Sequence, residues 1–94
     1  MQILWTKLAI ADLNAAYEFI VESNPTAAPE LIQRVEKALE TLRQFPEIGR
    51  VGRVKGTREL VIPQTPFIIP YRIQNNQIQL LAFMHSARQW PDQF

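Results

Sequence analysis

Apolar residues in the first part of the chain repeat with the period of an α-helix. From Thr6 to Ser23, one helical face carries Ala9, Leu13, Ala16, Tyr17 and Ile20. Thr6 is a suitable N-cap, because its hydroxyl can accept a hydrogen bond from a free amide of the first turn. The helix should end at Asn24, since a residue before proline (Pro25) is pushed out of the α region. We therefore predict a first helix over 6–23.

A second amphipathic helix is predicted to follow almost at once. Pro25 and Pro29 are compatible only with its first turn, where backbone amides lack partners in any case, and Pro46 stops it. Its apolar face consists of Ala28, Leu31, Ile32, Val35, Leu39 and Leu42. Two such helices joined by a short turn form an αα-hairpin, and each needs an apolar surface to cover its stripe.

The second half of the chain contains three β-type runs, over 57–62, 67–73 and 78–85. Asn75-Asn76 is a good two-residue hairpin turn, because asparagine tolerates positive φ. This turn places Ile73 opposite Ile78 and Tyr71 opposite Leu80. If the pairing continues without interruption, Ile69 faces Ala82 and Phe67 faces Met84. That side of the sheet is continuously apolar and should receive the helices.

The opposite side of the predicted sheet mixes apolar and cationic groups. It carries Ile68, Pro70, Arg72, Gln79, Leu81, Phe83 and His85. A chain of 94 residues has few elements left to cover it, so we expect an exposed apolar strip that binds a partner. Trp90 is expected either to contact the same partner or to cover this face. A slip of one residue in strand pairing would exchange the two faces.

Composition excludes several classes of protein. The chain has the length of a single domain, 47% apolar residues and no apolar run long enough to span a membrane. It contains no cysteine and only one histidine, so we expect no disulfide, no metal site and no cofactor. The N-terminus does not have the pattern of a signal peptide, and a cytoplasmic location is the simplest expectation.

Charge is distributed unevenly along the chain. Residues 1–48 carry four cationic and seven acidic side chains, whereas residues 49–94 carry six cationic and two acidic ones. Three of these cations, Arg50, Arg53 and Lys55, lie in the loop 46–56, which holds all three glycines of the chain. Such an excess indicates a positive surface that meets an anionic partner. The alternative is that these are solvated charges of the loop.

These elements together resemble the RelE/ParE toxin superfamily. The ordered set of similar segments consists of Gly56-Thr57-Arg58-Glu59-Leu60-Val61, Phe67-Ile68-Ile69-Pro70-Tyr71-Arg72-Ile73, Ile78-Gln79-Leu80-Leu81 and His85-Ser86-Ala87-Arg88. Earlier positions agree with it, namely Trp5, Ala11-Asp12-Leu13, Asn24-Pro25, Leu42, Phe45-Pro46 and Gly49-Arg50. The resemblance covers nearly the whole chain. It implies a single α+β domain over 1–94, with the N-terminal αα-hairpin packed on a twisted antiparallel sheet of three to four strands.

Membership of this superfamily implies the toxin of a type II toxin–antitoxin pair, neutralised by a co-expressed antitoxin protein. RelE-like members cut mRNA on the ribosome with basic residues and generally without metal. ParE-like members inhibit DNA gyrase and have no known hydrolytic chemistry. The predicted antitoxin contacts are Ile68, Pro70, Leu81, Phe83 and Trp90. The predicted target contacts are Arg50, Arg53, Lys55, Arg58 and Arg72, of which Arg58 is the best single candidate because a strand holds its backbone.

Departures from the RelE pattern favour the ParE-like function. RelE-type members usually have an arginine directly after the aromatic residue that opens the middle strand, and here Ile68 follows Phe67. The C-terminal tyrosine common among the nucleases is also missing, whereas His85 followed by Arg88 is familiar from ParE-like sequences. We therefore predict gyrase inhibition.

Two alternatives stay open. A RelE-like mRNA endoribonuclease would use His85, Arg88 and Arg58 as its catalytic residues, with His85 supplying a proton and the arginines stabilising charge. The other alternative is a non-toxic nucleic-acid-binding module or a degenerate toxin that acts only through its partner. Separately from these functions, His85 has a purely structural alternative, which is to cap backbone groups at the end of its strand.

Overall fold

A computed structural model describes residues 1–94. The chain forms two helices and six strands. The elements in chain order are β1 (Gln2–Trp5), α1 (Lys7–Ser23), α2 (Ala27–Gln44), β2 (Arg50–Val51), β3 (Arg58–Val61), β4 (Phe67–Gln74), β5 (Gln77–Leu80) and β6 (Met84–His85). Both predicted helices are confirmed. The hydroxyl oxygen of Thr6 accepts a hydrogen bond from the amide of Ala9, as expected of an N-cap. Neither helix is long and apolar enough to cross a membrane.

The sheet confirms the α+β class and contains more pairings than the sequence predicted. Its strand order is β1-β5-β4-β3-β2, with β6 paired to β4 outside this path. β1 runs parallel to β5. In the sequence, the whole helical hairpin separates β1 from the other strands, and it provides the long crossover connection that parallel strands need. β1 has four residues and β2 has two, which is too short for either to show a clear alternating pattern in the sequence.

The hairpin of β4 and β5 has the predicted register. Ile73 pairs with Ile78 and Tyr71 with Leu80, and both turn asparagines adopt positive φ, 54° at Asn75 and 59° at Asn76. The side of the sheet that carries Tyr71 and Leu80, here called the inner face, receives both helices. The core there is a cluster of twelve buried residues: Ala9, Leu31, Val35, Leu39, Leu42, Leu60, Ile62, Ile69, Tyr71, Ile78, Leu80 and Phe83.

The predicted continuous strand over 78–85 is wrong, because it breaks after Leu80. The segment resumes as β6 with Phe67 opposite His85 and Ile68 opposite Met84, one residue out of step with the register of β4 and β5. The predicted pairs Ile69–Ala82 and Phe67–Met84 therefore do not form. A slip of one residue exchanges the two sides of the sheet, so Met84 joins Ile68 and Phe83 enters the main core.

The expected exposed apolar strip on the opposite side, here called the outer face, is not exposed. All five predicted antitoxin contacts, Ile68, Pro70, Leu81, Phe83 and Trp90, are buried. Phe83 stacks on Phe67 with ring centroids 4.9 Å apart. Ile68, Ala82, Met84 and Trp90 form a second apolar cluster, against which Val54 and Phe94 pack. The segment after β6 thus covers this end of the outer face. The five residues were predicted to contact the antitoxin because they were expected to be exposed, and they are buried instead.

Candidate target-binding surface

A buried carboxylate holds two of the predicted target-binding arginines. Glu59 is 6% exposed and lies opposite Arg50 on the outer face. Its Oε1 accepts a hydrogen bond from Arg50, and its Oε2 lies 3.7 Å from Nε of Arg53 without a hydrogen bond to any group. A buried carboxylate is costly unless cations compensate it, so these two arginines are first of all partners of Glu59.

Arg53 makes further contacts that use its remaining donors. Its Nη2 donates to the carbonyl of Ser86 at 2.9 Å and its Nη1 to the carbonyl of Arg88 at 3.2 Å. The guanidinium carbon also lies 5.2 Å from the centroid of the Trp90 ring, within the range of a cation–π contact. Arg53 therefore connects β3 to the segment that follows β6.

Arg58 performs a similar task on the inner face. Its Nη1 donates to the carbonyls of Glu47 at 3.1 Å and of Gly49 at 3.0 Å. Beside it, the hydroxyl of Tyr71 donates to the carbonyl of Pro46 at 2.7 Å and accepts from the amide of Gly49 at 2.9 Å. Arg58 thus holds the turn after α2 in place, which weakens its selection as the best target contact.

The Tyr71 ring also explains why residue 49 is a glycine. A Cβ at Gly49 would lie 2.5 Å from Cε1 of Tyr71, which is closer than side chains tolerate. Burial raises the pKa of Tyr71, and this effect outweighs the amide of Gly49 and the charge of Arg58, which act in the opposite direction.

The other cations are less constrained. Lys55 and Arg88 are exposed, and their side chains form neither a hydrogen bond nor an ion pair. Arg72 lies on the outer face and donates from Nε to Oε1 of Gln79 at 2.8 Å. The Arg50 side chain is 62% exposed despite its contact with Glu59. We call Arg50, Lys55, Arg72 and Arg88 the accessible cations, because each side chain contacts at most one group of its own chain and keeps donors that can meet a phosphate or a carboxylate.

The three candidate catalytic residues do not all come together, because Arg58 lies apart from the other two. His85 and Arg88 lie in one turn, in which the amide of Arg88 donates to the carbonyl of His85 at 3.0 Å. Arg58 lies opposite Tyr71, whereas His85 lies opposite Phe67, four positions away along β4. At about 3.3 Å per strand residue, that separation is roughly 13 Å. Nδ1 of His85 accepts from the amide of Ala87 at 3.0 Å, which is the capping role considered as the alternative.

Two acidic residues have structural roles here that the sequence did not predict. Glu59 is the single acidic residue among the six cations from Arg50 to Arg88, since Asp92 follows them, and such an isolated acid is a signal for an internal ion pair. Asp12 on α1 accepts a hydrogen bond at Oδ2 from the amide of Phe83 at 3.2 Å, which fixes the break between β5 and β6. Nothing in the sequence distinguishes this aspartate from a solvated one.

The comparisons with known proteins agree with this architecture. Residues 3–90 match the family model described as ParE toxin of type II toxin-antitoxin system, parDE. The chain is 40% identical over 90 residues to the Y4kP protein of Sinorhizobium fredii, covering 96% of this chain and 93% of that one. It is 31% identical to Toxin RelE2 of Caulobacter vibrioides, covering 93% of this chain and 97% of that one.

A solved structure gives the same result for the fold. The chain superposes on one described as the chromosomal ParDE TA system from P. aeruginosa with a TM-score of 0.82. The two are 32% identical, and the match covers 90% of this chain and 95% of that one. The family match over residues 3–90 includes both helices and all strands except Gln2 at the start of β1. The chain therefore belongs to the ParE toxin family of type II toxin–antitoxin systems.

Proposed function

We propose that this protein is a growth-inhibiting toxin that acts by binding DNA gyrase rather than by cutting RNA. The observation that carries the proposal is the separation of His85 from Arg58. Cleavage of RNA needs a proton donor or acceptor and a charge-stabilising group around one phosphate. Here the two lie at different positions along β4, and Arg58 is occupied by carbonyls of its own chain.

The proposed contact with gyrase is made by the accessible cations. They contribute to the positive excess after position 48, and they need no rearrangement of the core to meet an anionic surface. Arg53 and Arg58 support this surface from within by holding the segments around it. Binding through such a surface depends on ionic strength, because exposed charges are screened by salt. Since gyrase is an intracellular target, the proposal places the protein in the cytoplasm.

An antitoxin is the second partner in this proposal. Family membership and the match to a ParDE structure support a co-expressed protein that neutralises the toxin. We expect it to be encoded beside this chain and to co-purify with it. Growth arrest on induction of this chain alone, and its relief by the neighbouring reading frame, would test that pairing directly.

A RelE-like endoribonuclease is the second candidate for the activity. Two relatives in Caulobacter vibrioides are named Toxin RelE2 and Toxin RelE1, at 31% and 35% identity. In that case His85 and Arg88, which share one turn, would have to meet the substrate without Arg58. Metal-independent cleavage of ribosome-bound mRNA is the corresponding reaction.

One paired assay separates these candidates. The purified protein is added to a gyrase supercoiling reaction on relaxed plasmid and, in parallel, to ribosomes programmed with mRNA. We expect loss of supercoiling at concentrations that leave the mRNA intact. Cleaved mRNA with unaffected supercoiling would establish the RelE-like alternative. No effect in either reaction, with normal folding by circular dichroism, would indicate a non-toxic module.

A matched pair of variants tests the surface itself. Lys55→Ala combined with Arg88→Ala removes two charges that make no contact within the chain, and it should weaken inhibition without changing stability. Lys37→Ala combined with Lys7→Ala removes the same charge from exposed positions on α2 and α1, and it should leave inhibition unchanged. Equal losses in both double variants would mean that only net charge matters and that this surface is not the contact.

A further inference from the structure

The segment over 86–94, here called the strap, crosses one end of the outer face. Its Trp90 belongs to the cluster with Ile68, Ala82 and Met84, and Phe94 packs against that cluster. The Trp90 and Phe94 rings meet edge to face with centroids 5.8 Å apart. Together with Val54, these two rings cover the apolar patch formed by Ile68, Ala82 and Met84.

The strap is weakly tied to the rest of the backbone. Its backbone hydrogen bonds are both near its start, from the amide of Ser86 to the carbonyl of Pro66 and from the amide of Arg88 to the carbonyl of His85. Residues 89–94 make no backbone hydrogen bond. In addition, Nε1 of Trp90 is buried without a partner, which disfavours the closed position because an unsatisfied buried donor is costly.

Arg53 is the group that holds the strap closed from the other side. It donates to two strap carbonyls, those of Ser86 and Arg88, and it lies over the Trp90 ring. Oε2 of Glu59 lies 3.7 Å from Nε of the same guanidinium and forms an ion pair with it. Arg53 thus bridges Glu59 of β3 and the two strap carbonyls, and it takes no part in the β4–β6 pairing.

We propose that the strap is a hinged cover that opens as a unit while the rest of the domain stays folded, and that Arg53 is its latch. Opening exposes the apolar patch of Ile68, Ala82 and Met84 and releases the Nη1 and Nη2 donors of Arg53 from the strap carbonyls, while its Nε stays beside Glu59. The closed strap therefore covers an apolar surface and occupies two donors of a cation. The inference concerns motion within the chain and does not depend on the target of the toxin.

The test follows Trp90 in the full chain. Trp5→Phe leaves Trp90 as the single tryptophan, and all variants are compared in that background. Urea titrations record Trp90 fluorescence for the strap and far-UV circular dichroism for the helices and sheet. We expect the fluorescence transition at lower urea than the circular dichroism transition. Without urea, acrylamide should quench Trp90 more strongly when the latch is weakened.

Arg53→Lys weakens the latch while it keeps the charge beside Glu59. It loses the planar fork that reaches two carbonyls, so the open fraction should rise roughly tenfold, as expected for loss of a charge-assisted hydrogen bond. The matched control is Arg50→Lys, since Arg50 also contacts Glu59 but no part of the strap. It should leave Trp90 quenching unchanged.

Coincident transitions by both probes in the parent and in Arg53→Lys would overturn the inference. Equal effects of Arg53→Lys and Arg50→Lys would also overturn it, because the ion pair with Glu59 rather than the latch would then control the segment. Both measurements are independent of toxicity, so a failed gyrase assay would leave this result standing.

Discussion

The two faces of the sheet are covered by different means. The inner face is packed against two helices through twelve buried residues. The outer face has a cluster of only four buried apolar residues at one end, one of them Trp90 of the strap, and beside it arginines contact Glu59 and the strap carbonyls. One side is held by close packing and the other by a small number of polar contacts. Interiors that are closely packed resist change, whereas surface ion pairs contribute little and relax easily.

This difference assigns stability and function to different sides. The inner face supplies the stability of the domain, because buried apolar area is the dominant favourable contribution to folding. The outer face carries the accessible cations and the strap, so we propose it as the side on which the molecule changes without unfolding. Loops and segments of low local stability are the ones that bind and move in many proteins.

The largest expected effect compares two neighbouring isoleucines of β4. Ile69 points to the inner face and Ile68 to the outer face, and they are 0% and 1% exposed. Ile69→Ala should lower the free energy of unfolding by about 2–5 kcal/mol, since the cavity lies among residues that cannot collapse. Ile68→Ala should cost no more than about 2 kcal/mol, because the strap can move inward and refill the space.

Urea denaturation followed by far-UV circular dichroism measures both values. Leu8→Ala is a useful reference, since Leu8 is 53% exposed on α1 and its loss should change stability by less than about 0.5 kcal/mol. Equal losses for Ile68→Ala and Ile69→Ala would contradict the comparison, because both sides of the sheet would then be equally rigid.

The inner face was predictable from the sequence, and the outer face was not. Alternation in β4 and β5 and the Asn75-Asn76 turn were sufficient to pair Tyr71 with Leu80. The step of one residue before β6 depends on Phe83 packing against Phe67 and on Asp12 accepting the Phe83 amide. These contacts join distant parts of the chain, and no local pattern encodes them.

The roles of the arginines were unpredictable for a related reason. Arg53 and Arg58 bind backbone carbonyls, and every residue has a carbonyl, so the sequence does not mark the acceptor. From the sequence alone, all cations of the loop 46–56 therefore look like surface groups. Only the positions of the acceptors in space separate Arg53 and Arg58 from Lys55, which has no such partner.

The next effect in size concerns the hydroxyl of Tyr71, which anchors the turn at 46–49 to the inner face. Tyr71→Phe leaves the carbonyl of Pro46 and the amide of Gly49 without this partner, and it should cost about 1–3 kcal/mol at neutral pH. Tyr17→Phe is the control, since the structure records no hydrogen bond for that hydroxyl. A loss no larger than that of Tyr17→Phe would mean that water replaces both bonds.

The same hydroxyl predicts a pH dependence. Burial raises the pKa of Tyr71 above the ordinary value of 10.0, so the folded state keeps its proton where the unfolded state loses it. Its contribution is complete below pH 10.0 and is lost as the pH rises from there through the folded pKa. In denaturation curves above pH 10.0, the parent should therefore lose stability more steeply than Tyr71→Phe.

A smaller effect distinguishes supporting from accessible cations. Arg58→Ala should lower the free energy of unfolding by about 1 kcal/mol, because two carbonyls of the turn lose a charged donor at a partly exposed position. Lys55→Ala should leave stability unchanged and should reduce growth inhibition instead. Unchanged stability together with full loss of inhibition in Arg58→Ala would restore Arg58 as a direct target contact.

The smallest expected effect is that of His85→Gln. Nδ1 of His85 accepts the amide of Ala87 within a turn on the exposed side of β6, and a glutamine carbonyl oxygen offers the same acceptor. We therefore expect stability within about 0.5 kcal/mol of the parent and undiminished growth inhibition. His85→Ala, which keeps neither a donor nor an acceptor, separates the two roles that this residue could have. Loss of inhibition in both variants at unchanged stability would indicate proton transfer and an RNA target. Loss in neither would mean that the turn holds without its histidine and that inhibition arises from the accessible cations.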